Sequence, residues 1–99
     1  MPAKPGYVIV EVEVTDPAAF REYADKVGPT LAAHNARLIV RGKANAKEGP
    51  APVGNIVVIE FPSLGDAEAW YDSAGYREII PLRQRAANSR LFIVEGEQR

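Results

Sequence analysis

The chain has no cysteine and a single histidine, His34. Without cysteine there is no disulfide, no thiolate zinc site, no iron–sulfur ligation and no thiol nucleophile. One histidine excludes a two-histidine metal site. No apolar run approaches the ~18 residues that a membrane span needs. Neither sign of charge dominates, with 12 Lys and Arg against 13 Asp and Glu and a formal net charge of −1. The basic excess of an electrostatic nucleic-acid or membrane binder is therefore missing. No Walker loop, dinucleotide fingerprint or calcium loop occurs, so neither cofactor nor metal is expected. The first residues, Met1-Pro2-Ala3-Lys4-Pro5-Gly6, carry one lysine, and the segment behind them is interrupted by Glu11 and Glu13. That is not the pattern of a signal peptide, and a cytoplasmic protein is expected.

What is present is enough for one domain, spanning residues 1–99. A chain of this length buries roughly 60–68% of its unfolded surface in a single core. Tyr7 to Val14 alternates at period two and is rich in valine, the signature of a strand. Asp16-Pro17 supplies a helix cap and a first-turn proline. Phe20, Tyr23, Val27 and Leu31 then recur at helical spacing. Gly28-Pro29 is expected to break or kink that helix, which resumes to about His34. Arg37 to Gly42 and Asn55 to Phe61 read as strands, with a Gly- and Pro-rich loop between them. Ser63 and Asp66 fit a capping pattern for a second helix carrying Ala67, Trp70 and Tyr71. Ser73-Ala74-Gly75 interrupts it, a further segment carries Tyr76, Ile79, Ile80 and Arg83 with a kink expected at Pro81, and Leu91 to Glu95 reads as the last strand. The order β-α-β-β-α-β describes an α+β, ferredoxin-like sandwich with both helical regions on one face of a four-stranded antiparallel sheet.

Alternation divides the strands into two faces. Val8, Val10, Val12, Val14, Leu38, Val40, Val57, Ile59, Phe61, Phe92 and Val94 form an apolar set expected under the helices. The other set mixes Ile9, Ile39, Ile56, Val58, Leu91 and Ile93 with Glu11, Glu60, Glu95, Arg37 and Arg41. A monomer would expose that second face as a sizeable apolar patch, which soluble monomers avoid. Burial against a second copy is the expected solution, giving a homodimer through the open sheet face. Arg37 and Arg41 then need partners among Glu11, Glu60 and Glu95, or a ligand, because buried charges must be answered. A structural ion-pair network and a polar cleft for a small acid both fit this pattern.

Several segments in this order carry a resemblance: Tyr7-Val8-Ile9-Val10, Asp16-Pro17 with Tyr23, His34 to Arg37 leading into Leu38-Ile39-Val40-Arg41-Gly42, Glu60-Phe61-Pro62-Ser63, Ala69-Trp70-Tyr71, and Val94-Glu95-Gly96. The set resembles a bacterial family known as domain-of-unknown-function family thirteen-thirty, over nearly the whole chain. The resemblance implies the dimeric α+β barrel superfamily. That superfamily includes haem-degrading and quinone-forming monooxygenases, muconolactone isomerases and plain ligand binders, so fold alone does not choose an activity. Two departures stand out. Asn35-Ala36 occupies the place after the histidine where the family usually has glycines, and Asn55 stands where it often has arginine.

The residues that can carry chemistry are few. His34 is the one side chain that titrates near neutrality unperturbed, and reads either as a general acid–base or as a cap on the first helix. Glu60, in the most apolar strand, reads either as a general base or as an ion-pair member. Arg37, Arg41, Tyr71, Tyr76 and Arg83 are the candidates for substrate binding, and Arg83 is placed to clamp a carboxylate. Ser63 reads as a helix cap, since no nucleophile elbow surrounds it. These residues fit a homodimer that binds a small molecule, or a cofactor-independent monooxygenase or isomerase acting on a small carbonyl compound or aromatic acid. The alternative is a non-catalytic ligand-binding or stress-related dimer. An RNA-recognition module shares the fold, but the third strand offers Ile56, Val58 and Glu60 where stacking aromatics are needed, so no nucleic-acid partner is expected.

Overall fold

The computed structural model describes residues 4–98, so the expectation drawn from Met1-Pro2-Ala3 lies outside it, as does Arg99. The elements are β1 (Gly6–Val14), α1 (Pro17–Ala32), β2 (Arg37–Lys43), β3 (Asn55–Phe61), α2 (Leu64–Asp72), α3 (Ala74–Ala86) and β4 (Ala87–Glu95). The sheet order is β2-β3-β1-β4, every neighbouring pair antiparallel. This is the ferredoxin-like arrangement expected, with the second helical region divided in two. Among the described residues no helix is long and apolar enough to cross a membrane.

Local chemistry sets the helix ends. Asp16 Oδ1 accepts from the Ala19 amide at 3.2 Å and caps α1, with Pro17 in the first turn. Ser63 Oγ accepts from the Asp66 amide at 3.1 Å and caps α2. Its hydroxyl donates to Asp66 Oδ2 at 2.9 Å, so that carboxylate answers the cap side chain. Ser73 separates α2 from α3: its hydroxyl donates to the Trp70 carbonyl at 2.7 Å and accepts from the Tyr76 amide at 3.3 Å. One serine thus ends one helix and starts the next.

Neither proline divides its helix. α1 runs through Pro29 to Ala32, and α3 runs through Pro81. Next to Pro29, Thr30 Oγ1 donates to the Val27 carbonyl at 2.7 Å and accepts from Trp70 Nε1 at 3.0 Å. That pair ties the second half of α1 to α2. After α1 the chain turns at Asn35, whose φ of 57° is left-handed. Asparagine tolerates this region better than most residues, which is why it can stand where a glycine is usual.

Two expectations about the sheet faces are corrected. In β4, Leu91 and Ile93 pair with Val10 and Val8 and lie on the helix side, whereas Phe92 and Val94 lie on the open face, each 45% exposed. The run Leu91-Phe92-Ile93-Val94 is apolar at every position, so its alternation carries no phase, and the pairing with β1 decides it. In β2 the register shifts between Leu38 and Val40, so that Leu38 pairs with Ile59 but Val40 pairs with Val58 and Arg41 with Val57. Ile39 is the extra residue of a bulge. From there on the strand's faces are exchanged: Val40 joins the open face and Arg41 turns to the helix side.

The densest packing lies at one end of the sheet. Val8, Phe61, Trp70 and Tyr76 are fully buried there, joined by Ile59 and Ala67 under α2 and the start of α3. The rings of Trp70 and Tyr76 lie 3.9 Å apart between centroids. At the other end α1 packs along α3 and has no fully buried residue. Its apolar side faces the sheet across a gap.

Candidate functional site

The gap is a cavity of about 190 Å³ between α1, α3 and the helix side of the sheet. Cavities of roughly 150 Å³ are known to hold a benzene ring, so this one has room for a single-ring molecule. β1 and β3 supply its floor through Val10, Val12 and Val57, and α1 supplies its roof through Phe20, Ala24 and Val27. Trp70 closes the wall at the packed end. The walls are apolar apart from Tyr23, Tyr76, Asn55, Arg41 and Arg83. Among the described residues no aspartate, glutamate or histidine lines the cavity.

Arg83 is 6% exposed, two helical turns beyond Tyr76 on the same face of α3. Its Nη1 donates to the Tyr76 hydroxyl at 3.3 Å. Its Nε is buried without a hydrogen-bond partner, and among the described residues no carboxylate pairs with the guanidinium. A buried charge left this way costs several kcal/mol. The Tyr76 hydroxyl lies 2.8 Å from that of Tyr23, and either can donate. Burial pushes both phenols above the usual tyrosine value of 10.0, with the neighbouring phenol adding to the rise at Tyr23 and the Arg83 charge opposing it at both. Both are held protonated. Among the described residues the cavity therefore offers two cations, Arg83 and Arg41, and the one phenol proton that the Tyr23–Tyr76 bond leaves free, with no carboxylate or imidazole to accept a proton.

The remaining sequence candidates lie elsewhere. Glu60 is on the open face, where it accepts from the Tyr7 hydroxyl and from Arg37 Nε, both at 3.0 Å. His34 sits just past the end of α1, and its Nδ1–H donates to the Thr30 carbonyl at 3.0 Å. The contact is to a last-turn carbonyl of α1, and His34 does not line the cavity. Tyr71 packs its ring on Trp70 and Tyr76, with centroids 6.3 and 5.8 Å away, and does not line the cavity. Thus Arg41, Tyr76 and Arg83 line one cavity, with Arg41 at its β2 side and Arg83 bonded to Tyr76 at its α3 side, while His34, Glu60, Arg37 and Tyr71 do not line it. Tyr23 is the cavity residue that sequence reasoning left as core. Its seven-residue spacing from Thr30 and place on the apolar stripe of α1 gave no sign of a partner on α3.

The open face carries its own polar pairs within one chain. Arg90 Nη2 meets Glu11 Oε1 at 2.7 Å, and its guanidinium lies 5.8 Å from the Phe92 ring centroid. Arg37 pairs with Glu60 on the same face, Glu13 accepts from Asn88 Nδ2 at 3.3 Å, and Ile39, Val40, Phe92 and Val94 are exposed among them. Among the described residues no cluster of three or more His, Cys, Asp or Glu is placed to hold a metal ion.

Comparison with known proteins bears on the fold and the family. A protein of unknown function from Rhodopseudomonas palustris superposes with a TM-score of 0.76 at 20% identity, over 97% of this chain and 85% of that one. SnoaB, a cofactor-independent oxygenase from Streptomyces nogalater, gives 0.65 at 11% identity, over 98% and 97%. HapK from Hahella chejuensis gives 0.64 at 18% identity, over 95% and 92%. At these identities the likeness is one of fold, the ferredoxin-like α+β barrel. No curated protein matches the chain. The family described as domain of unknown function DUF1330 matches residues 5–97, nearly the whole chain, and the chain belongs to that family.

Proposed function

We propose that this protein is a single-domain, cytoplasmic, homodimeric α+β barrel that binds a small aromatic acid, or the enol form of a small carbonyl compound, in the cavity under α1. The observation that carries the reading is Arg83, a buried guanidinium that lines a largely apolar cavity and has no carboxylate partner among the described residues. A carboxylate or enolate oxygen set against Arg83 and the Tyr76 hydroxyl would answer the charge. The ring would lie between Val57 and Trp70, out of water.

The dimer rests on the open face. Ile39, Val40, Phe92 and Val94 are each more than 40% exposed on a side of the sheet that no helix covers. A second copy seated sheet to sheet would bury this apolar strip, with Arg37–Glu60 and Arg90–Glu11 at its rim.

A second reading, cofactor-independent oxygenation or isomerisation, is favoured by the fold shared with SnoaB and by the donor set. Arg83 and the phenol proton left free by the Tyr23–Tyr76 bond are suited to stabilise negative charge on an enolate oxygen. His34 and Glu60, outside the cavity, would not supply the base, so a substrate acidic enough to ionise in solution fits best. Calorimetric titration of the full chain with benzoate tests the first reading. Saturable binding that weakens at least tenfold in Arg83→Met supports it, and binding unaffected by that change rejects it.

A further inference from the structure

The β2 bulge moves two charged residues, Arg41 and Lys43, from one side of the sheet to the other, and of these Arg41 lines the cavity. Without the extra residue at Ile39, strict alternation would leave Arg41 beside Arg37 on the open face. With it, Arg41 stands opposite Val57 on the helix side and lines the same cavity as Arg83. The other two arginines of the sheet have carboxylate partners, Arg37 with Glu60 and Arg90 with Glu11. Among the described residues Arg41 has none, and the cavity lining holds no acid to supply one.

The two cavity arginines lie toward opposite edges of the sheet. Arg41 is on the edge strand β2, while Arg83 is on α3, which packs on β4 at the other edge. β3 and β1 lie between, so the edge strands are about 14 Å apart at ~4.8 Å per spacing. The floor between the two cations is apolar, formed by Val57, Val10 and Leu91, which share one cross-strand row. One cation is buried at the α3 side and the other is exposed at the β2 side. An apolar body with an anionic group at each end is the ligand chemistry that such a box recognises.

We infer that the ligand is a two-ended acid, a small dicarboxylate or its equivalent, with Arg83 taking the inner anion and Arg41 the outer. This rests on the acid-binding reading of the cavity. The bulge is then the device that sets specificity, since it delivers the second cation without adding a residue to the helices.

The test is calorimetric titration of the full chain with benzoate and with the three benzene dicarboxylates, phthalate, isophthalate and terephthalate. The three isomers present the second carboxylate at three angles from one ring. The expected result is that at least one dicarboxylate binds about tenfold or more tightly than benzoate. In Arg41→Gln that preference falls below about twofold, and in Arg41→Lys part of it returns. If benzoate binds through Arg83 but no dicarboxylate is preferred, or if the preference survives Arg41→Gln, the second anion site is overturned and the acid-binding reading stands. If none of the four acids binds, or if Arg83→Met binds them all as well as the wild type, both fall.

Discussion

Arg83 Nη1 donates to the Tyr76 hydroxyl at 3.3 Å, and this is the one hydrogen bond that the buried guanidinium makes among the described residues. A phenol is a weak answer to a full positive charge. The contact is better understood as positioning: it holds the guanidinium against the wall of the cavity, where an incoming anion would meet it. In the free protein that arrangement is a cost.

Arg83→Met should therefore stabilise the protein when no ligand is bound, by about 1 kcal/mol or more, since an uncompensated buried charge is replaced by a side chain of similar length. Urea denaturation of the two proteins in phosphate-free buffer measures this. A lower midpoint for the variant would mean that the charge is satisfied in the free protein and that the cavity is not waiting for an anion.

The Tyr23–Tyr76 pair makes a statement about alkaline stability. Both folded-state values are raised above 10.0, so the unfolded chain loses those protons first as pH climbs. The stabilisation is complete below pH 10 and is lost above it, at up to about 1.4 kcal/mol per pH unit for each phenol. Absorbance titration at the phenolate band should show that two of the four tyrosines ionise only as the protein unfolds. Four tyrosines ionising together near pH 10 would contradict the buried pair.

Thr30 is the acceptor for Trp70 Nε1 at 3.0 Å, and this bond ties α1 to α2. Thr30→Val keeps the shape and removes the acceptor, leaving an indole donor without its partner. The loss should be about 1–3 kcal/mol in thermal or denaturant unfolding. Thr30→Ser, which keeps the hydroxyl, should recover most of it.

Phe92 and Val94 face outward on β4, each 45% exposed. Phe92→Lys and Val94→Lys should each shift the protein from dimer to monomer in sedimentation velocity at micromolar concentration while leaving the far-ultraviolet spectrum unchanged. Variants that stay dimeric would mean that the sheet faces do not meet.

Much of the fold was legible because the apolar periods are clean where it matters. The valines of β1 and the capping residues Asp16 and Ser63 each specify an element through local chemistry, and the structure has those elements in place. The failures have equally local causes. Leu91 to Val94 is apolar on both faces, so only the pairing with β1 could orient it. The bulge at Ile39 leaves no mark in R-L-I-V-R-G, because the residues on either side of it are apolar and fit both faces. The break allowed for at Gly28-Pro29 does not occur, since α1 runs on through Pro29 to Ala32. The candidate site was half legible for the same reason. Arg83 and Tyr76 were found from helical spacing, whereas Arg41's place depends on the bulge and Tyr23's on a contact between helices.

The most direct measurement is a crystal structure of the protein grown with saturating benzoate. The account predicts the carboxylate about 3 Å from the Arg83 guanidinium and the ring between Val57 and Trp70 under α1. Benzoate lying on the open sheet face instead, with Arg83 turned away from the cavity, would contradict it.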